Sequence, residues 1–295
     1  MSADIVFIDA NIRTMNPCQP LAQAVAIKKN RILKVGTSQE IKKLIGRSTK
    51  VINLDRKTMI PGLIDTHIHV ADFGRCLMWL DLSGVESIRD LQDMLERKAK
   101  QTPAGKWIVG RGWNENQFKE KRMPNRKDLD EAALDNPVIL YRGDSYLCAA
   151  NSKAVVTAGI TDKTAAPSGG SMDKTSSGEL TGIFRDSATN LIWQAVPEPT
   201  TEELAEATAL ACQNIVQAGI TSVDWIILSE NELSLIKALY ARGKLPIRVN
   251  VIVPFEFLKG VRGFVSDDAL KLRFGGAIIF ADGYLDSKTA ALTKP

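Results

Sequence analysis

The stretch MIPGLIDTHIHV, residues 59–70, contains both histidines of the 295-residue chain, His67 and His69. Pro61 and Gly62 open a short apolar strand made by Ile60, Leu63 and Ile64, and the histidines are expected just beyond its end. Alternate residues of an extended chain point the same way, so the two imidazoles share a face and can take one divalent cation. The plain alternative is a pair of polar loop residues. What lies on either side of the stretch decides between them.

Before it, residues 1–58 read as all-β. DIVFIDANIRTM and KVINLD alternate, and AVAIKKNRILKVG reads as two strands around Lys28-Lys29-Asn30. After it, apolar strands alternate with amphipathic helices. SIRDLQDMLERKAKQ has Ser87 as N-cap and Ile88, Leu91 and Leu95 at helical spacing. TTEELAEATALACQNIVQAG carries a capping box, Thr200 and Glu203, and stops at Gly219, while SENELSLIKALYARG stops at Gly243. ITSVDWIIL, LPIRVNVIVPF and GGAIIFADG are the strands that go with them. Such strands imply a parallel sheet covered by helices, hence an α/β fold. Between Gly74 and Pro199 the pattern is less regular: KWIVGRGW and NPVILYR are strand-like, and APSGGSMDKTSSGELTG reads as a hairpin tip. This part is expected to be an inserted α+β subdomain.

Charge and composition exclude several classes of function. The 38 basic and 34 acidic residues alternate in sign, and the densest basic run, KEKRMPNRK from Lys119, is broken by Glu120 and Pro124, so a solvated loop is expected and no nucleic-acid surface. No N-terminal leader pattern and no apolar run of bilayer length is present, so a cytoplasmic protein without a membrane partner is expected. Cys18, Cys76, Cys148 and Cys212 form no C-x-x-C pair and read as isolated thiols.

PGLIDTHIH, together with GELTGIFRD, GITSV, IIFADGYLDSKTAAL and the long segment from Gly112 to Ala154, resembles the metal-dependent amidohydrolase superfamily, in the branch that includes N-substituted formamide deformylases. The resemblance implies a TIM (β/α) barrel, here partial, with an N-terminal small β-sandwich segment. The expected division is 1–58 for that segment, 59–74 for the first barrel strand, 75–199 for the insertion and 200–295 for further barrel strands and helices. It also implies an enzyme, a hydrolase of non-peptide carbon–nitrogen bonds in small amide-type substrates, using a divalent metal, zinc first among them. His67 and His69 match the metal ligands of the first strand, and Asp65 stands where it can support them by a hydrogen bond. Asp282, after the fourth strand, is the candidate catalytic carboxylate, with Asp286, Lys288 and Thr289 on the same loop. Trp113, Asp144 and Tyr146 are candidates for contact with substrate; Glu115, Asn116 and Asn151 are placed near them, and Trp107 and Trp193 in the core.

Three positions depart from the pattern. Ile278 stands where relatives carry lysine, Tyr146 where they tend to have histidine, and Asp224-Trp225 where they tend to show His-Asp. With four barrel strands and no histidine after His69, the chain reads as an N-terminal fragment or half of a split enzyme, inactive by itself. Its partner would be the missing half of the barrel or a second copy. A weakened protein that only binds or assembles, and a deaminase or cyclic-amide hydrolase of the same superfamily, are the alternatives.

Overall fold

The computed structural model describes residues 2–261, 271–279, 281 and 291. The N-terminal strands are β1 (Ile5–Ile8), β2 (Asn11–Arg13), β3 (Leu21–Ala22), β4 (Ala24–Lys28) and β5 (Arg31–Gly36), followed by the short helix α1 (Ser38–Lys42), then β6 (Lys50–Asn53), β7 (Thr58–Met59) and β8 (Leu63–Ile68). They form a sheet ordered β5-β4-β1-β6 and a smaller one ordered β3-β2-β7. Lys29 makes the tight β4–β5 turn with a positive φ of 54°. Helix α1 was not legible as an element, although Thr37 and Glu40 close a capping box at its start.

The chain divides into two compact units, Met1–His69 with Cys212–Ile278, and Val70–Ala211. The second contains α2 (Val70–Met78), β9 (Leu80–Asp81), α3 (Ile88–Gln101), β10 (Ile108–Trp113), α4 (Arg126–Ala132), β11 (Val138–Arg142), β12 (Leu147–Ala150), α5 (Ser152–Thr157), β13 (Gly170–Lys174), β14 (Leu180–Asp186) and α6 (Thr189–Trp193). Its six strands make one mixed sheet, β13-β14-β12-β11-β10-β9. Both faces are covered: Leu91, Leu95, Leu129, Val138 and Leu140 pack on one, and Ile139, Cys148, Val155, Phe184 and Ile192 on the other. The Gly- and Ser-rich tip lies between β13 and β14, which pair antiparallel as a hairpin. The basic run is a capped corner: Arg122 forks onto Asp128 at 2.7 and 2.8 Å, and Asn125 caps α4.

Helix α7 (Thr201–Gln217) starts as the capping box predicts, with Thr200 N–H donating to Glu203 at 2.9 Å and Glu203 N–H to the Thr200 hydroxyl at 3.2 Å. Gly219 then takes the left-handed conformation, φ 81°, as the helix stop requires. β15 (Ile220–Ile226), α8 (Glu230–Ala241), β16 (Arg248–Pro254) and β17 (Leu272–Ile278) follow, and the first and last parts of the first unit meet in an all-parallel sheet ordered β8-β15-β16-β17. Val223, Trp225, Val249, Val251 and Val253 alternate along β15 and β16 and are almost wholly buried. Glu232 of α8 reaches Trp225, so this is the face that the helix covers. The opposite face carries Asp224, Asn250 and Ile252, each half-buried. Among the described residues no helix is long and apolar enough to cross a membrane.

Candidate metal centre

β8 runs further than its sequence suggested: it pairs with β15 as far as Ile68 opposite Trp225, so His67 lies inside the strand and His69 is the first residue after it. Its apolar entry is also not a core segment. Leu63 is 49% and Ile64 64% exposed, because among the described residues β8 has a neighbour, β15, on one side only. The two histidine rings stand edge to face, with centroids 5.8 Å apart and planes at 85°.

The register between β8 and β15 shifts between Asp65 and Ile68, where three steps on β8 match two on β15. Such a bulge frees a backbone amide from the ladder. Asp65 satisfies it, accepting from His67 N–H at 3.1 Å. The carboxylate therefore holds the backbone that carries the histidines. His69 Nδ1 lies 3.0 Å from the carbonyl oxygen of Ile226. A carbonyl can only accept, so Nδ1 is the donor, and in the neutral ring it is then Nε2 that bears the lone pair. That is the state a metal ligand needs, and a hydrogen bond from the second ring nitrogen is how such ligands are usually oriented. On this observation His69 fits a divalent cation, and the His67 ring stands beside it with its centroid 5.8 Å away. Among the described residues no cluster of three or more histidine, cysteine or acidic groups forms a full ligand set.

Asp224 lies on the neighbouring strand, and its carboxylate accepts from Asn250 Nδ2 at 2.9 Å. The two residues stand opposite each other in the β15–β16 register. Asn250 Oδ1 is buried and has no partner among the described residues. Gly275 makes room for this amide, since a Cβ there would come within 2.5 Å of it. The sequence reading missed Asn250; its signal was a single polar residue inside the apolar run VNVIV. Ile278, at the end of β17, pairs with Pro254 and offers no ligand atom. Asp282, Asp286, Lys288 and Thr289 lie outside the described residues.

The proposed substrate contacts belong to the second unit, and the one at Trp113 is corrected. Trp113 is fully buried and donates from its indole N–H to the Leu140 carbonyl at 2.9 Å, so it is a core residue with no surface to offer a substrate. Asn151 is equally buried and is a structural hub. Asp144 accepts from Arg142 at 2.7 Å and from the Tyr146 backbone N–H at 3.2 Å, and Arg142 also forks onto Glu115 at 2.9 Å on both arms. The Tyr146 side chain is about half exposed. Trp107 and Trp193, expected in the core, are half-buried and pack against it, and they also line a cleft of about 560 Å³ with Trp79 and Lys98. Burial raises the thiol pKa of Cys76 and Cys148 and pushes Cys212 up to about 11, which favours the protonated thiol at neutral pH.

The putative amidohydrolase YtcJ of Bacillus subtilis (strain 168) is 33% identical over 279 residues, which cover 92% of this chain and 53% of that protein. The N-substituted formamide deformylase of Arthrobacter pascens is 29% identical over 249 residues, covering 82% of this chain and 46% of its own. An uncharacterized metal-dependent hydrolase from Pyrococcus horikoshii, a solved structure, matches with a TM-score of 0.75 at 26% identity over 99% of this chain and 57% of that one. The chain thus spans about half the length of the curated relatives it matches. Residues 50–295 match the model of the Amidohydrolase family, a span that includes the histidine strand and all four parallel strands of its sheet, and the chain belongs to that family.

Proposed function

We propose that the protein of which this chain is part hydrolyses carbon–nitrogen bonds in small substituted amides, with a divalent metal, zinc first, at His67 and His69. The observation that carries this reading is the Ile226 carbonyl at His69 Nδ1, which leaves Nε2 free for a ligand bond at the end of a parallel strand. Four parallel strands in sequential order, preceded by two small sheets and interrupted by the second unit, support a partial (β/α) barrel with an N-terminal sandwich segment and an insertion. The remaining ligands and strands would come from the other half of the barrel or from a second copy.

A bound divalent ion would polarise the amide carbonyl and acidify water. The chain's own part is to hold that ion from two imidazoles and to keep their strand in place through Asp65. Asp282 remains the candidate carboxylate for moving a proton to the leaving amine. A cytoplasmic site of action is part of the proposal. A weakened, non-catalytic member of the family is the second reading, and the aliphatic Ile278 at the end of the fourth strand favours it.

The test is hydrolysis of a panel of N-substituted formamides, cyclic amides and aminated heterocycles by the full-length enzyme, with metal analysis. Activity on the formamides is expected to vanish on chelation and return with Zn²⁺. His67→Ala and His69→Ala are each expected to lower activity by more than about 100-fold, beyond the loss typical for a group that only supports a ligand. Turnover that survives both chelation and His67→Ala would sink the proposal. Preference for the cyclic amides or for deamination would move it to the other branches of the superfamily.

A further inference from the structure

We propose that Glu232 is a positioning residue for His69, acting through the Ile226 carbonyl; the inference deepens the metal reading above and rests on it for its functional meaning. Glu232 is 5% exposed, in the first turn of α8. A buried carboxylate persists only where hydrogen bonds replace its lost water, and a helix N-terminus adds favourable dipoles. Each of its two oxygens accepts a hydrogen bond from the segment 225–228. Oε2 accepts from the indole N–H of Trp225 at 3.0 Å, and Oε1 accepts from the backbone N–H of Leu228 at 3.0 Å. A glutamate at this position commonly turns back to the amide of the N-cap residue itself, here Ser229. In this chain it reaches past Ser229 to the loop.

Ile226 lies between those two anchors. Its carbonyl accepts from His69 Nδ1 at 3.0 Å, while the next residue, Ile227, donates its N–H to the Ile252 carbonyl at 3.0 Å. The direction of the Ile226 carbonyl is thus fixed on one side by the sheet and on the other by the carboxylate. That carbonyl selects the Nδ1-protonated form of His69 and aims Nε2. Trp225 and Asp224 replace the His-Asp pair expected at this place, and the indole N–H is the donor that makes Trp225 part of the support.

In long-range ¹⁵N–¹H correlation spectra of the full-length protein, the imidazole patterns of His67 and His69 are assigned by their loss in His67→Ala and His69→Ala. At pH 8 the wild type is expected to show His69 protonated at Nδ1. Glu232→Gln keeps the shape but turns one acceptor into a donor that faces an N–H. It is expected to give a mixture of both ring forms and to weaken Zn²⁺ binding, measured by titration calorimetry, about 10-fold. Trp225→Phe removes one donor and is expected to shift the same signals in the same direction by less, which keeps the test available if Glu232→Gln does not fold. Ile236→Ala, a fully buried site on the same helix, is the control for general loosening. It is expected to lower stability and leave the His69 pattern unchanged.

Unchanged ring forms in both Glu232→Gln and Trp225→Phe would overturn the inference. So would an Ile236→Ala variant that shifts His69 as far as Glu232→Gln does. A wild type that takes up no Zn²⁺ would remove the metal reading instead, while the ring-form comparison would still decide the positioning role.

Discussion

Asn151→Asp is expected to cost about 4 kcal/mol or more and to leave the second unit largely unfolded at neutral pH, as measured by urea denaturation followed through tryptophan fluorescence. The side chain is fully buried and every polar atom is used. Oδ1 accepts from Val138 N–H at 3.0 Å and from Ala154 N–H at 2.9 Å, and Nδ2 donates to the carbonyls of Ala133 and Asn136, both at 2.8 Å. One side chain thereby joins the end of α4, the start of β11 and the first turn of α5. A carboxylate keeps the first two bonds but sets a second oxygen against two carbonyl oxygens, with no water to relieve it. Burial raises the pKa of the new carboxyl above its unfolded value, so the penalty applies above about pH 4 and fades as pH falls below it, where both states are protonated. A variant as stable as wild type at pH 7 would show that the site opens to solvent.

Gly74→Ala is the second large effect, and its sign is opposite to the usual rule. In a helix interior, alanine normally gains about 1 kcal/mol over glycine. At Gly74 an added Cβ would lie 1.9 Å from the carbonyl oxygen and 2.4 Å from the carbonyl carbon of Ala207 in α7. These are backbone atoms and cannot rotate aside, so α2 and α7 would have to move apart by more than 1 Å. A loss of about 3 kcal/mol is expected, at the top of the range for overpacking. Gly84→Ala serves as the control, since nothing lies within 4 Å of its added Cβ. Equal stability of the two variants would refute the close crossing.

What the sequence disclosed was local chemistry. Ser87, Thr200 with Glu203, Gly219 and Gly243 marked helix ends because capping and the left-handed stop depend on neighbours in sequence. The parallel strands were legible from runs such as VNVIV, where only a buried sheet accommodates so little polarity. The histidine pair was legible as chemistry, but its support was not. Glu232 reads as an ordinary charge on the polar side of an amphipathic helix until folding brings Trp225 to it. Asn151 and Trp113 read as polar and aromatic residues of a loop-rich region, and their burial comes from strands and helices far apart in sequence. Leu63 and Ile64 were legible as part of an apolar strand, but their exposure follows from which strands lie beside β8, which no local pattern records.

The pairing of β8 with β15 also sets an order of events during synthesis. His69 and Ile226 are 157 residues apart, and the Val70–Ala211 part of the second unit is made between them. At translation rates of about 5–20 residues per second, the histidine strand waits on the order of 10–30 s for its neighbour to emerge. Throughout that interval Leu63 and Ile64 are sticky and unpaired, while the intervening unit has time to fold by itself. Chaperone dependence during synthesis should therefore concentrate on residues 59–70, and slow translation before β15 should lower the yield of native protein more than slow translation after it.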